Sequence, residues 1–199
     1  MATDREILGQ IASGDPIPHL QDARPEIRRL ATSACSGVHT KPVQAALTDL
    51  AANDEDEEVR AQAVEILGEF GPSVLGTIQS ATSDPSVRVV ESATTALGEL
   101  GSPEAVPWLL ETAAGHDESI VREAAVAALG ALGDQRALPT LLETVANGKP
   151  QVRRRSVVAL SAFDGPEVEK ALAMARLDRN PMVREVAEML LGRARPNSG

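Results

Sequence analysis

Residues 121–133 read VREAAVAALGALG, and five other segments of the chain repeat that pattern. With Leu129 as anchor, a Leu-Gly or small-residue ending recurs at Cys35-Ser36, Leu67-Gly68, Leu97-Gly98, Leu160-Ser161 and Leu191-Gly192. Successive anchors lie 32, 30, 32, 31 and 31 residues apart. A near-constant period of this length predicts a stacked array of one supersecondary unit. Counted from the position seven before each anchor, the columns are consistent. Offset 0 carries Arg28, Arg60, Val90, Arg122, Arg153 and Arg184, and offset −1 is always β-branched (Ile27, Val59, Val89, Val121, Val152, Val183). Offset 3 is always small: Ala31, Ala63, Ala93, Ala125, Ser156 and Ala187. Offset 10 holds Val38, Phe70, Leu100, Leu132, Phe163 and Ala194. Offsets −1, 3, 6, 7 and 10 follow a period of about 3.6 residues, so they predict the buried stripe of an amphipathic helix, here helix B. The small column fits a close helix–helix contact.

A second set of helices, A, is predicted over 43–51, 74–81, 103–113, 137–146 and 168–177. Pro107 and Pro139 stand early in two of them, where proline is tolerated. The A–B turn has its own column six before offset 0: Asp22, Asp54, Asp84, His116, Asn147 and Asp178. Asp56 and Asn180 are predicted N-caps. Pro25, Pro150 and Pro181 suit the first turn of helix B. The third unit departs from the frame: Val90 replaces arginine, Arg88 comes two positions early, and its helix B is expected to begin sooner. Residues 4–13 (DREILGQIAS) predict a short helix within an N-terminal cap over 1–15, and 196–199 a disordered tail; between them 1–195 is expected to be one domain.

Composition agrees with closely packed helices. Hydrophobic residues make up 43% of the 199 and aromatics only 2%, so Ala, Val and Leu must form the core. There is no apolar run of membrane-spanning length and no signal-like N-terminus. One cysteine forms no internal disulfide, and a cytoplasmic location is expected. The net charge of −10 and the dearth of aromatics disfavour nucleic acid, since phosphate binding needs cations and base stacking needs rings.

The pattern Asp-x-x-x-x-Val-Arg, small residues, then Ala-Leu-Gly-x-Leu-Gly resembles the HEAT-like repeat, the subtype also found in phycobilin lyase subunits, over about residues 16–194. The resemblance implies an all-α, right-handed α-solenoid of about six stacked helical hairpins. It further implies that the Asp and Arg columns form a ladder between neighbouring units and that the B helices line a concave surface. On that surface offsets 1, 5 and 9 bring outward Arg29, Glu65, Glu69, Glu91, Glu99, Glu123, Arg154 and Glu185, and together with Arg155, beside Arg154 at offset 2, these are expected to bind a partner. Glu65, Glu91 and Glu123 would meet a basic segment of a protein or peptide, with basic patches at 28–29 and 153–155 nearer the ends.

No catalytic, cofactor or metal residues are assigned. The histidines His19, His39 and His116 are scattered, and the acidic run DEDEE at 54–58 lacks the spacing of a calcium loop. HEAT-like iron hydroxylases carry repeated His-Glu pairs, and no such pair occurs here. Cys35, in the anchor column, is expected to be buried and inert. The function expected is therefore a non-enzymatic interaction scaffold or adaptor. The alternative, by family analogy alone, is a lyase-like or chaperone-like subunit assisting cofactor attachment to a partner protein.

Overall fold

The computed structural model describes residues 16–192, together with Gly9 and Ile11. The helix expected over 4–13, the cap over 1–15, the stripe position Ala194 and the tail 196–199 lie wholly or largely outside the described residues. The chain divides into two compact units after Leu100. The first holds α1 (Pro25–Ser33), α2 (Lys41–Asn53), α3 (Glu57–Leu67), α4 (Leu75–Ala81) and α5 (Val87–Glu99). The second holds α6 (Val106–Gly115), α7 (Ser119–Leu132), α8 (Leu138–Asn147), α9 (Pro150–Ala159), α10 (Pro166–Ala175) and α11 (Pro181–Gly192). No strand occurs among the described residues, and the fold is an all-α solenoid of helical hairpins. The odd-numbered helices are the B helices. In the first unit α3 packs on α1, α2 and α5; in the second α9 packs on α7, α8 and α11.

Every B helix starts three residues before offset 0, at Pro25, Glu57, Val87, Ser119, Pro150 and Pro181. The third repeat is no exception, which corrects the expectation of an early start. Its two missing residues come from helix A instead: α4 has seven residues where α2 has 13 and α8 has 10. A 3-10 stretch over Gly68–Val74, broken at the left-handed Gly71, replaces the lost turn. The caps behave as read: Asp56 Oδ1 accepts from the Glu58 and Val59 N–H groups, and Asn180 Oδ1 accepts from Met182.

Offsets −1 and 3 are buried in all six repeats, and offset 7 in the first five. Offset 10 is only half-buried in four repeats, because most B helices end before it; Phe163 alone is buried there. In the small column at offset 3, Ser156 faces helix A of its own repeat, with a 2.7 Å contact to Thr144 of α8. The closest approach between successive B helices falls elsewhere, at the glycine after the anchor. A Cβ on Gly130 would lie 2.7 Å from Ala159 Cβ and 2.8 Å from its Cα, and one on Gly68 would lie 3.4 Å from Ala96 Cβ. Leu-Gly thus pairs a buried leucine with the point where the neighbouring helix B comes nearest.

The arginine and aspartate columns form the inferred ladder within each unit. Arg28 forks onto Asp54 (Nε–Oδ2 2.7 Å, Nη2–Oδ1 2.8 Å), Arg60 onto Asp84 (2.8 and 3.0 Å), and Arg153 onto Asp178 (2.8 and 2.7 Å). The remaining Nη1 donates to a carbonyl of the arginine's own A–B turn: Asp22, Asp54 and Gly148, respectively. Each aspartate also accepts an N–H two residues on, from Asp56, Ser86 or Asn180. One guanidinium therefore ties its own turn to the next, and one carboxylate shapes the turn that it joins.

Asp178→Asn leaves the buried Arg153 charge without its counter-charge and is expected to lower stability by about 3 kcal/mol, measured by urea unfolding. The Arg153 guanidinium holds the Asp178 carboxyl below its ordinary value of 3.8; Asp84 is also lowered, by Arg60 and the Ser86 N–H against an opposing effect of burial. Their stabilisation is complete above that ordinary value and is lost as pH falls through the depressed folded value. Acid unfolding of Asp178→Asn should accordingly have a shallower pH dependence. Gly130→Ala is expected to cost about 1–2 kcal/mol despite alanine's better helix propensity, because the backbone of α9 must move. Gly76→Ala, where a Cβ meets nothing within 4 Å, should be neutral or stabilising by up to about 1 kcal/mol in the same assay.

Candidate functional site

Offsets 1, 5 and 9 of a helix recur about every four residues and so lie along one stripe of its surface. In the first unit those stripes of α3 and α5, with the end of α1, border a pocket of about 510 Å³. Glu65, Glu69, Glu91 and Glu99 all line it, beside Ser33, Gln62, Ser92 and Thr95. Four of the nine predicted residues are thus brought to one place. Arg29, also in the first unit, is exposed on α1 and borders a separate recess with Glu26 and Glu58. The other four belong to the second unit: Glu123 on α7, Arg154 and Arg155 on α9, all half-buried, and the exposed Glu185 on α11.

The four glutamates are not equivalent. Glu65 Oε1 accepts from Arg88 Nη2 and Ser92 Oγ, each at 2.8 Å, and Oε2 from Gln62 at 3.3 Å. Glu69 accepts from Ser36 Oγ at 2.7 Å and Gly37 N–H at 2.8 Å, and its Oε2 lies 3.3 Å from His39 Nε2. Burial pushes the Glu69 carboxyl up, but the Gly37 N–H, Ser36 and His39 together draw it below the ordinary value. Glu69 therefore staples the loop after α1 to the end of α3. His39 in turn stands edge-on to Phe70, with centroids 5.1 Å apart. Glu91 has only a 3.6 Å ion pair with Arg88, and Glu99 forms no hydrogen bond or ion pair among the described residues.

Arg88 is the pocket residue that column reading missed. Among the described residues it is the one cation lining the acidic pocket, and its guanidinium reaches Glu58 at 3.7 Å, Glu65 at 2.8 Å and Glu91 at 3.6 Å. These groups are 28–47% exposed, so solvent screens the cluster and each pair contributes only up to about 1 kcal/mol. The signal was present in the sequence as the displaced arginine of DPSVR.

Other charged runs are engaged structurally. Arg28 and Arg153 belong to the ladder, which leaves Arg29, Arg154 and Arg155 as what remains of the two basic patches. In the acidic run, Asp54 holds Arg28, Asp56 caps α3, and Glu58 faces Arg88. Cys35 is fully buried, its thiol donates to the Ala31 carbonyl at 3.3 Å, and burial raises its pKa to about 11; the thiolate needed for chemistry is suppressed. No described helix is long and apolar enough to cross a membrane.

Comparison with known proteins agrees with this architecture. No curated protein sequence matches the chain significantly. Among solved structures, YibA of Escherichia coli superposes with a TM-score of 0.69 at 18% identity, covering 96% of this chain and 75% of YibA. The CpcE–CpcF complex of phycocyanin lyase from Nostoc sp. PCC7120 gives 0.65 at 20% identity, covering 74% of this chain and 98% of the matched one. Human deoxyhypusine hydroxylase gives 0.46 at 20% identity, over 94% of this chain and 88% of that one, too loose a likeness to carry an argument. At these identities the likenesses speak for the fold alone. The profile of HEAT repeats matches residues 14–75, 44–129 and 109–192, nearly the whole chain, and with the period, the hairpins and the ladder in agreement, this protein belongs to the HEAT repeat family.

Proposed function

We propose that the chain is a protein-interaction scaffold, and that the B-helix face of its first unit takes a lysine or arginine side chain of a partner protein or peptide. The observation that carries this reading is the acidic pocket itself: four carboxylates and one guanidinium line it, with Glu99 unpaired among the described residues and Glu91 held only at 3.6 Å. An incoming cation would sit between Glu91 and Glu99. Glu65 and Glu69 are already engaged and act at longer range, setting the negative potential that speeds encounter. Arg88 keeps the pocket from being a bare anionic cleft and gives its carboxylates a fixed arrangement. In the second unit Glu123, Glu185, Arg154 and Arg155 mix both signs, which suits orientation of a partner more than attraction.

The test is binding of fluorescent peptides carrying one Lys-Arg pair, compared with Glu-Asp versions of the same length. Wild type should prefer the basic series, and the preference should weaken as salt rises. Glu91→Lys with Glu99→Lys should reduce that binding at least tenfold while circular dichroism stays unchanged. Undiminished binding by an equally helical double variant refutes the assignment.

A further inference from the structure

In the arginine column Arg184 has no following turn to reach among the described residues and bonds only the carbonyls of its own, whereas Arg122 has a following turn and still forms no rung. Arg28, Arg60 and Arg153 each use Nη1 on their own turn and Nε with Nη2 on an aspartate of the next repeat. Arg122 makes neither connection. The position that should supply its acid is Asn147, and the Asn147 amide turns back to donate to Glu143 Oε1 at 2.7 Å. Arg122 Nε is buried without a partner, and Nη2 has only a 3.3 Å bond to Ser119 Oγ. The side chain lines a pocket of about 330 Å³ between α7 and the α8–α9 turn, together with Thr140, Thr144 and Asn147. A comparable recess of about 320 Å³ borders Arg28, but there Asp54 is part of the lining and already holds the guanidinium.

We propose that the gap at Arg122 is a carboxylate-binding site that takes one carboxylate from a partner, either an acidic side chain or a chain terminus. The carboxylate would accept from Nε and Nη2 of Arg122, as Asp54, Asp84 and Asp178 do in their own rungs. The chemistry follows from the fork: guanidinium Nε–H and Nη2–H present two parallel donors at the spacing of two carboxylate oxygens. Nε has almost no solvent-accessible surface in this conformation, so the guanidinium must turn toward the pocket to present the fork, and an acceptor there satisfies a donor that has none. The Thr140 hydroxyl, without a partner among the described residues, borders the same space. Glu143, on the pocket wall, disfavours a dianion such as phosphate and leaves a monoanionic carboxylate as the fitting class.

The experiment follows the arginine Nε–H signals of the full ¹⁵N-labelled chain by NMR during titration with sodium acetate against sodium chloride at equal ionic strength. Arg122→Lys identifies the Arg122 signal by its disappearance. The expected result is a saturable shift of that signal with acetate, while the signals of Arg28, Arg60 and Arg153 stay in place. Asn147→Asp should supply the carboxylate from within, weaken the acetate response at least tenfold and raise the Tm. Two capped peptides, one with a single internal aspartate and one with a free C-terminus, then tell the sources apart by which shifts the signal at lower concentration. No saturable shift in wild type, or an equal shift in a folded Asn147→Asp variant, overturns the proposal.

Discussion

A buried arginine forked onto a buried aspartate of the next repeat is the constraint on which each unit is built. Taking both charges out of water is costly, and the pair is tolerable only because every donor and acceptor finds a partner. Arg153 meets that condition fully: two bonds to Asp178 and one to the Gly148 carbonyl. The interaction is directional where the apolar stripe is not. Valine and leucine columns would permit neighbouring hairpins to slide, whereas a two-point fork fixes one register. The ladder also acts locally, since the same aspartates shape the turns that start the B helices.

The period, the two helix sets and the Asp and Arg columns are legible in the sequence because each recurs, and recurrence separates signal from chance; that the two columns pair is what the family resemblance implies. What was hidden occurs once. The Arg88 position breaks its column, so column arithmetic gave it no neighbour, although three-dimensional placement puts it among Glu58, Glu65 and Glu91. Glu69 reads as one more outward glutamate until the loop over 36–39 folds back onto it. The early Arg88 of the third repeat predicts an early start for its helix B, but the structure keeps that start in frame, with Val89 in the core, and shortens helix A instead. Ser156 of the small column at offset 3 meets the hairpin's own A helix, whereas the glycine after the anchor faces the next B helix.

Within the acidic pocket, holding the fold and the proposed contact with a partner compete for the same residue type. Glu65 and Glu69 show the first use, with three hydrogen-bonding contacts each. Glu91 and Glu99, about one and three helical turns further along α5 from Arg88 and largely unengaged, are left for the proposed second use. A carboxylate saturated by its own chain has no capacity for a partner's cation, so exposure and charge alone overstate the number of binding residues.

The glycine that lets α7 approach Ala159 of α9 has a consequence for how this surface can change. The interval between neighbouring B helices is fixed by glycine and alanine, residues that contribute nothing to the outward stripe. The outward positions can therefore be rewritten while their spacing stays constant, like characters on a ruled line. A partner on this face, as proposed, must match the ruling before it can match the letters, and substitution at exposed positions such as Thr95 and Glu99 can change the letters without repacking a helix.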